Sequence, residues 1–375
     1  MKISCSQENL SKGLAIVGRA VATRAVLPIT NNVLFSIEES RLKLSATNLE
    51  IAISCWIPAT VEEEGMIAIP ARLVTDFVNS LPSGNIDMVL SPNSRVLEMT
   101  CARYEARISG LDPSDFPPTP KITQGTRLRI KQDELKKAIS QVVFAAASEE
   151  ARPVLTGIHI ELDANKITLA AADGFRLAVQ KATLDDQVKD KMTIIIPARS
   201  LTELSRFLGD HNETVEIAIN DQRSQVMFTL ENIEMTSQLI QGTFPNYEQL
   251  IPQSYTTRAT VKLEEFLRAT KSASIFARDG SGIVRLQISP RDGSGRISIS
   301  ARAEEVGENL GEIDAVVEGD ESKIAFNSKY LVDVLSVLGD DNVTLETTTS
   351  SSPGVIRPVG SDTYVHVVMP MFVEW

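Results

Sequence analysis

The sequence has few residues that bind metals or form disulfides. Its three histidines lie far apart, with no second type of metal ligand at a suitable spacing: His159, His211 and His366. The three cysteines are widely spaced and form no C-x-x-C pair: Cys5, Cys55 and Cys101. We therefore expect reduced, buried thiols, with a lone nucleophilic cysteine as the alternative, and neither a metal nor another cofactor.

Long apolar runs are also missing. No stretch approaches the roughly 20 apolar residues that a membrane span requires. The opening residues lack the apolar core and cleavage site of a signal peptide, so a cytoplasmic protein without a membrane partner is expected. The chain has 375 residues, of which 43% are hydrophobic and 23% charged, which is typical of two or three globular domains.

Catalytic motifs are missing as well. The sequence contains no coherent Ser-His-Asp set, no paired carboxylates in helical register and no P-loop. Asp173-Gly174 comes closest to an active-site turn, but this dipeptide is more simply a hairpin or loop signal. A binding protein is therefore favoured over an enzyme.

The chain does contain one unit repeated three times. Each copy has the pattern of strand, helix, turn and strand, over residues 65–90, 191–219 and 322–346. Ile69 to Arg72 (IPAR) recurs as Ile196 to Arg199, and Phe326 to Lys329 (FNSK) holds the same place in the third copy. The period of about 130 residues exceeds that of a solenoid repeat, so it indicates three domains.

Further elements complete each domain. Windows 7–25, 131–147 and 262–278 have the apolar spacing of an amphipathic helix, and residues 41–46, 166–171 and 296–301 alternate as half-buried strands do. Proline-rich segments at 111–118 and 242–252 end sheet pairing. We predict an α+β fold of three similar domains, each with two helices packed on antiparallel sheets, over residues 1–122, 123–253 and 254–375.

The distribution of charge bears on nucleic acid. A formal net charge of -12 argues at first against DNA binding, which depends on lysine and arginine. However, each of the three opening helix windows is net positive. Clusters of this size are usually ordinary solvated helix faces, and only their threefold recurrence favours a surface that faces DNA.

Seven motifs occur in a fixed order along the chain: Arg24 with Leu27-Pro28-Ile29, TNLE at 47–50, IPAR at 69–72, DFP at 115–117, DGFRLA at 173–178, FPNY at 244–247 and VMPM at 368–371. This ordered set resembles the bacterial sliding clamps, the beta subunits of DNA polymerase III, across essentially the whole chain. The resemblance implies the DNA clamp fold and a head-to-tail homodimeric ring with pseudo-sixfold symmetry.

The resemblance also implies a function. The ring encircles double-stranded DNA without reading its sequence, and it serves as a processivity factor for partners that carry clamp-binding peptides: the replicative polymerase alpha subunit, the clamp loader and repair polymerases. The alternative is a β-rich protein-interaction scaffold that does not encircle DNA, since such a scaffold shares the repeats but needs no basic helix faces.

The resemblance suggests residues for each surface. The DNA lining would contain Lys12, Arg24, Arg72, Lys136, Lys137, Arg199 and Lys271. The ring interface would join Arg103, Arg107 and Ile108 of the first domain to Ile275, Phe276, Glu304, Glu305 and Glu308 of the partner's third domain. Ala106 is small for the core of such an interface.

A hydrophobic peptide cleft between the second and third domains is the third implied surface. It would be built from Arg152, Val154, Leu155, Ala172, Gly174, Phe175, Arg176, Leu177, Pro245, Gln249, Leu250, Asn327, Tyr330, Val367, Met369, Pro370 and Met371. Phe175 stands where a histidine is frequent in the family, and Gln249 where a basic residue is expected, so a more apolar cleft is anticipated. Phe372 to Trp375 would either cover part of the cleft or pack on the neighbouring surface.

Overall fold

A computed structural model describes residues 1–22, 27–91, 95–149, 151–209, 213–278, 281–290, 295–303, 305 and 307–375. Within these ranges the α-helices are α1 (Gln7–Val17), α2 (Ala71–Ser80), α3 (Gln132–Val142), α4 (Ala198–Ser205), α5 (Leu263–Arg278) and α6 (Ser328–Val337).

The strands up to residue 197 are β1 (Lys2–Ser6), β2 (Asn32–Glu38), β3 (Arg41–Thr47), β4 (Ile51–Ile57), β5 (Thr60–Glu63), β6 (Met66–Pro70), β7 (Asn85–Leu90), β8 (Val96–Cys101), β9 (Tyr104–Ser109), β10 (Thr126–Lys131), β11 (Gly157–Asp163), β12 (Lys166–Ala172), β13 (Arg176–Thr183) and β14 (Met192–Pro197). The later strands are β15 (Thr214–Ile219), β16 (Gln225–Thr229), β17 (Ile233–Gln238), β18 (Thr257–Lys262), β19 (Ile283–Ser289), β20 (Gly295–Ala303), β21 (Gly307–Gly319), β22 (Ser322–Asn327), β23 (Asn342–Thr347), β24 (Gly354–Pro358) and β25 (Tyr364–Val368).

The threefold repeat is confirmed in the secondary structure. The predicted pattern of strand, helix, turn and strand appears as β6-α2-β7, β14-α4-β15 and β22-α6-β23. Each of these helices begins immediately after its preceding strand, at Ala71, Ala198 and Ser328. In the third copy, Asn327 caps the helix by accepting a hydrogen bond from the N–H of Lys329 over 2.9 Å.

The chain divides into two compact units. The first comprises residues 1–132 and 206–239, and the second comprises residues 133–205 and 240–375. The first unit contains a five-stranded sheet, in the order β5-β1-β7-β8-β9, and an eight-stranded sheet, in the order β10-β15-β16-β17-β4-β3-β2-β6. The second contains a twelve-stranded sheet, in the order β14-β11-β12-β13-β25-β24-β23-β18-β21-β20-β19-β22.

Sheet pairing crosses the repeat boundaries at two equivalent places. In the first unit β4 pairs antiparallel with β17, where Ile53 stands opposite Met235. In the second unit β13 pairs antiparallel with β25, where Val179 stands opposite Val365. The compact units therefore differ from the predicted domains, because a strand late in one repeat completes a sheet begun in another. The three-domain division remains a prediction.

The helices pack against the sheets through the predicted apolar faces. Leu10, Leu14 and Val17 of α1 are buried. A Cβ atom on Gly13 would lie 2.9 Å from Cδ1 of Leu44, so a larger residue at position 13 would require the Leu44 side chain or α1 to shift. On α6, Leu331, Val334 and Leu335 are buried in the same way.

The expectation of half-buried strands is wrong for two of the three segments. β20 alternates between buried and partly exposed residues as predicted, but β3 and β12 are buried on both faces over most of their length. In β3 the second face consists of polar groups that bond residues on the neighbouring strands β2 and β4. The hydroxyls of Ser45 and Ser54 lie 2.9 Å apart, and the ammonium of Lys43 lies 2.6 Å from Glu38. Satisfied polar groups thus occupy positions that alternation marks as exposed.

Candidate functional site

A tight turn between β12 and β13 forms one wall of the candidate site. Gly174 adopts a φ of 95°, a conformation that favours glycine. The Oδ1 atom of Asp173 accepts hydrogen bonds from the N–H groups of Phe175 and Arg176, over 2.9 and 3.0 Å. This geometry agrees with the loop reading of Asp173-Gly174. It leaves the ring of Phe175 projecting from the wall, 61% exposed.

Arg176, beside that turn, is a buried structural cation. Its Nε donates to Oδ2 of Asp173 over 3.0 Å, and its Nη1 donates to Oδ2 of Asp333 over 2.7 Å. Its Nη2 donates to the carbonyl oxygen of Phe144 over 2.6 Å, and its Cζ lies 4.4 Å from the ring centroid of Tyr330. The guanidinium thus bonds two carboxylates and a carbonyl, so its role is to hold the turn, α6 and the segment after α3 together.

An apolar cavity of about 480 Å³ opens on one side of Phe175. It is lined by Ala172, Gly174, Phe175, Arg176, Leu177, Gln249, Leu250, Pro252, Pro353, Val367 and Met369. Nine of these eleven side chains or backbone positions belong to the predicted cleft, and only Pro252 and Pro353 do not. A mainly apolar, preformed hollow of this size suits the side chains of a short peptide.

A second, polar cavity of about 390 Å³ also borders Phe175. It is lined by Phe144, Ala146, Ala147, Ser148, Glu149, Ala151, Arg152, Leu155, Asp173, Phe175, Arg176, Lys329 and Tyr330. Arg152, Leu155 and Tyr330 are predicted cleft residues that line only this cavity. Burial, with Asp173 nearby, raises the pKa of Tyr330, so its hydroxyl stays protonated at neutral pH.

Five predicted cleft residues line neither cavity: Val154, Pro245, Asn327, Pro370 and Met371. Asn327 caps α6 instead. The N–H of Met371 donates to the carbonyl oxygen of Ala325 over 2.8 Å, which fixes the chain after Met369. Sequence reasoning also missed lining residues. Asp173 and Lys329 stood within recognised motifs, Pro252 within the proline-rich segment 242–252 and Phe144 to Ala147 within a predicted helix window, but none of them was assigned to the cleft; nothing marked Ser148, Glu149, Ala151 or Pro353.

The segment after Met371 does not line either cavity. Phe372 is 92% exposed. The ring centroid of Trp375 lies 5.9 Å from Nζ of Lys323 on β22. Trp375 therefore contacts the neighbouring surface, whereas Phe372 projects into solvent, and neither residue covers the cleft.

A fully buried histidine packs against Phe144, which lines the polar cavity. His366 on β25 is fully buried, with its ring centroid 5.5 Å from that of Phe144, and neither ring nitrogen has a hydrogen-bond partner among the described residues. Burial, together with the nearby positive charge of Arg176, lowers the pKa of His366 to about 3. This histidine is structural and neutral.

The candidate DNA residues differ in the ion pairs they form. Lys12 lies 2.6 Å from Glu8, one helical turn away, and Nε of Arg72 lies 3.9 Å from Oδ2 of Asp76. Within the described ranges Lys137, Arg199 and Lys271 are exposed and form no salt bridge, and Lys136 is partly exposed. Arg24 lies outside the described residues.

The candidate interface residues are mostly exposed. Arg103 and Arg107 lie at the surface on or beside β9, with Arg107 3.1 Å from Glu98. Ile275 is exposed and Phe276 partly exposed on α5, while Glu305 and Glu308 are exposed and Glu304 lies outside the described residues. The side chain of Ile108 is buried within the chain, because it points into the core beneath the sheet. Tyr104 and Leu310 are exposed apolar residues here that the sequence did not single out.

Three further features of the described ranges bear on the expectations from the sequence. The three cysteines are free and buried, as expected, and burial raises the pKa of Cys5 to about 12 and that of Cys55 to about 11. No group of three or more metal-ligating side chains is found among the described residues. None of the helices described there is long and apolar enough to cross a lipid bilayer.

Sequence models of one protein family match nearly the whole chain. They are described as DNA polymerase III beta subunit, and the N-terminal, central and C-terminal domains match residues 1–120, 129–246 and 248–372. The beta sliding clamp of Bacillus subtilis is 31% identical over 381 residues, covering 99% of both chains. That of Staphylococcus aureus is 31% identical over 363 residues, covering 94% of both.

Solved structures agree. The DNA polymerase sliding clamp of Bacillus subtilis superposes with a TM-score of 0.94 at 31% identity, with 100% of both chains covered. A sliding clamp of Pseudomonas aeruginosa, solved bound to griselimycin, gives 0.91 at 28% identity, again over 100% of both chains.

Proposed function

This chain belongs to the DNA polymerase III beta subunit family, the beta sliding clamps, and we propose that two copies close head to tail into a ring around double-stranded DNA. The ring is a processivity factor and catalyses no reaction itself. Because it works on DNA during replication, we place it in the cytoplasm. Each chain supplies three domains, over residues 1–122, 123–253 and 254–375.

The proposed ring is supported by a strand pairing that recurs between successive repeats; we call each such pairing a sheet joint. β4 of the first repeat pairs with β17 of the second, and β13 of the second pairs with β25 of the third. β4 and β13 correspond to β21 in the third repeat, and β17 and β25 correspond to β9 in the first repeat. By this correspondence, the N-terminal half of β21 should pair with a copy of β9, which is an edge strand of the five-stranded sheet. A second copy can supply it, and two such joints close the ring.

The strand edge that would form this joint, on the N-terminal half of β21, is unpaired among the described strands. β20 pairs with β21 from Gly307 to Ala315, whereas β18 pairs with β21 only from Val316 to Gly319. The other edge of the N-terminal half of β21 therefore pairs with no described strand, and exposed Leu310 lies there. Ile275 on the neighbouring helix and Tyr104 at the start of β9 supply further apolar area.

DNA contact requires only a thin basic lining. Lys137, Arg199 and Lys271 are exposed cations without salt bridges among the described residues, and the remaining charge of the chain is strongly acidic. A ring that slides must attract phosphates weakly and read no bases, so a sparse lining suits it better than a dense patch. The acidic body discourages DNA from binding elsewhere.

The two cavities beside Phe175 form the partner site. Leu250 and Met369 at the rim and Leu177 at the floor of the apolar cavity anchor an apolar side chain of a clamp-binding peptide. Peptides of the replicative polymerase alpha subunit, the clamp loader and repair polymerases are the proposed occupants. Methionine suits a shared site, because its flexible side chain repacks around different ligands.

The test separates a ring from a scaffold that does not encircle DNA. The clamp is loaded on a nicked circular duplex by its clamp loader, isolated by gel filtration in 0.2 M salt, and the DNA is then linearised with a restriction enzyme. We expect retention on the circle and rapid loss from the linear product. Equal loss from both forms would contradict encirclement and favour the scaffold.

A further inference from the structure

A further cavity, which we call the α5–α6 cavity, lies where α5 begins and α6 ends. It has a volume of about 640 Å³ and is lined by Lys262, Leu263, Glu264, Leu267, Leu335, Ser336, Leu338, Gly339, Asp340, Asp341 and Asn342. It shares no lining residue with the two cavities beside Phe175. Lys329 and Tyr330, which line the polar cavity, belong to the first turn of α6, whereas the α5–α6 cavity meets its last turn. The two sites are therefore separate.

The same place can be located in all three repeats. The helices α1, α3 and α5 begin at Gln7, Gln132 and Leu263. Each of these residues donates its backbone N–H to the carbonyl oxygen of the residue before the next strand, which is Gly84, Glu213 or Asp341, over 2.8, 2.8 and 2.9 Å. Positions 7, 132 and 263 are therefore equivalent.

In the first repeat, polar side chains join the two helices at this place. Nε2 of Gln7 donates to the carbonyl oxygen of Val78 over 2.9 Å, and the hydroxyl of Ser11 donates to Oδ1 of Asn79 over 2.7 Å. The carbonyl oxygen of Val78 belongs to the last turn of α2, where the helix itself supplies no N–H partner. The glutamine amide thus satisfies the end of α2.

In the second repeat a glutamine again occupies the place. Oε1 of Gln132 accepts a hydrogen bond from the N–H of Gly209 over 2.8 Å, and its Nε2 donates to the carboxylate of Glu213 over 3.2 Å. Only 5% of Gln132 is exposed, so its amide fills the space beside the helix end.

The third repeat has leucine at both positions that donate in the first. Leu263 and Leu267 correspond to Gln7 and Ser11, and neither can donate a side-chain hydrogen bond. The acceptors are still present.

The carbonyl group of Leu335 corresponds to that of Val78, since each residue lies three positions before the one that ends its helix. The carboxylate of Asp341 corresponds to that of Glu213. The α5–α6 cavity is therefore the place where the side-chain donor of the other repeats is missing.

The charge of the cavity also favours a donor. Lys262 lies 3.5 Å from Glu265, and Glu264 bonds Arg268, so these charges are balanced. Asp340 and Asp341 form no salt bridge with any residue in the described part of the chain. The C-terminal end of α6 adds a partial negative charge. Two carboxylates and a helix end together attract a cation.

We propose that the α5–α6 cavity binds an arginine side chain of a partner protein. The aliphatic part of that side chain packs against Leu263 and Leu267, and its planar guanidinium donates in two directions, to the carboxylate of Asp341 and to the carbonyl oxygen of Leu335. A lysine ammonium supplies charge but not the planar fork that replaces the glutamine amide. The apolar lining also suits an apolar residue next to the arginine.

The test uses three dipeptide amides with acetylated N-termini: Leu-Arg, Leu-Lys and Leu-citrulline. Citrulline has nearly the shape of arginine but no charge. Binding to the full-length protein is measured by saturation-transfer NMR. We expect the Leu-Arg peptide to bind about three- to tenfold more tightly than the Leu-citrulline peptide, and more tightly than the Leu-Lys peptide.

Matched variants locate the binding. L263Q gives the third repeat the glutamine of the other two, so this variant should fold and lose the preference for arginine because its own amide occupies the acceptors. In D341N the ratio of Leu-Arg to Leu-citrulline affinity should fall to about one. The control D362N removes an exposed carboxylate outside the cavity and should keep the parent ratio. A thermal melt of each variant checks folding.

Four outcomes would overturn the inference. Equal affinity of the arginine and citrulline peptides would exclude a guanidinium site, and equal affinity of the arginine and lysine peptides would reduce the effect to general attraction between charges. A preference that survives in both L263Q and D341N would place the binding elsewhere on the molecule. Acetyl-arginine amide that binds as tightly as the Leu-Arg peptide would assign the cavity to a free alkylguanidinium compound and not to a protein.

Discussion

Arg176 and Asp333 are 157 positions apart in sequence, yet Nη1 of Arg176 lies 2.7 Å from Oδ2 of Asp333. The pair joins β13 of the second repeat to α6 of the third, next to the place where β13 pairs with β25. Because the arginine side chain is only 7% exposed, its charge depends on the carboxylates around it.

Replacing Asp333 by Asn should lower the free energy of unfolding by about 1 to 3 kcal/mol, because the substitution keeps the shape but leaves a buried cation with one counter-charge fewer. Urea unfolding followed by circular dichroism measures the change. The control D362N, at an exposed aspartate, should stay within about 0.5 kcal/mol of the parent. A D333N variant as stable as the parent would show that Asp173 alone balances Arg176.

Truncation of the apolar anchor should weaken peptide binding. In L250A or M369A we expect a loss on the order of 2 kcal/mol, about 30-fold in affinity, because apolar surface is removed from a desolvated pocket. Leu250 and Met369 are exposed, so both variants should fold, whereas Leu177 is part of the core. The matched control is L73A, since Leu73 is 53% exposed and Leu250 is 54% exposed. Parent-like binding by a folded M369A variant would place the anchor elsewhere.

A charge on the open edge of β21 should separate the ring into single chains. L310E is expected to elute with a mass near 41.0 kDa in light scattering at micromolar concentration, and the parent with about twice that value. V316E is the control on the same strand, because Val316 is 66% exposed and Leu310 68%, but Val316 lies where β18 already pairs. If L310E stays dimeric, β21 does not form the joint.

Removal of Lys137, Arg199 and Lys271, which form no salt bridge with any described residue, should flatten the salt dependence of DNA binding. For K137Q/R199Q/K271Q we expect the slope of log K against log salt to decrease in magnitude by about 0.9 for each phosphate that the variant no longer neutralises. K166Q/K181Q/K189Q removes the same charge from other exposed positions and should leave the slope near that of the parent. Peptide affinity should not change in either variant, and an unchanged slope in the first would exclude these three residues from the lining.

His366 should make the fold less stable in mild acid. Its folded pKa, about 3, lies below the ordinary value of 6.5, so the unfolded chain takes up a proton that the folded chain does not. Stability is therefore unaffected well above pH 6.5 and decreases as the pH falls below it. Between pH 7 and 5.5 the loss from this residue is about 1 kcal/mol.

The variant H366F should lose this part of the pH dependence. Urea unfolding at pH 7 and 5.5 measures it, with the parent as reference at each pH. His159 retains its own contribution in both proteins, because burial lowers its pKa as well. An identical decrease in parent and variant would mean that His366 is not neutral in the folded state.

The elements of the fold were readable from the sequence because local periodicity determines them. The apolar positions of α1 and α6 predicted their buried faces, and the repeated motif marked the start of each second helix. The pairing of β4 with β17 and of β13 with β25 was not readable. Nothing in the alternation of a strand identifies a partner more than a hundred residues away.

The sequence predicted those residues of the candidate site that lie in or beside recognised motifs, and few of the others. Nine lining positions of the apolar cavity were expected from the resemblance. Pro252 lies in a segment that was recognised only as ending sheet pairing, and Pro353 lies in a loop without a motif. Met371 was expected to line the cleft, but its N–H group bonds Ala325 and the side chain lines neither cavity. Backbone hydrogen bonds of this kind depend on the tertiary fold and leave no pattern in the sequence.

The two sheet joints have a consequence for how the protein can be divided. A fragment cut at residues 122 and 253 would contain β13 without β25 and β17 without β4, so two strands would present bare N–H and C=O groups to solvent. Such edges recruit other chains, and an isolated repeat should therefore aggregate or swap strands on expression. During synthesis, the eight-stranded sheet must likewise wait for β17 to leave the ribosome, so the first repeat cannot complete its fold ahead of the second.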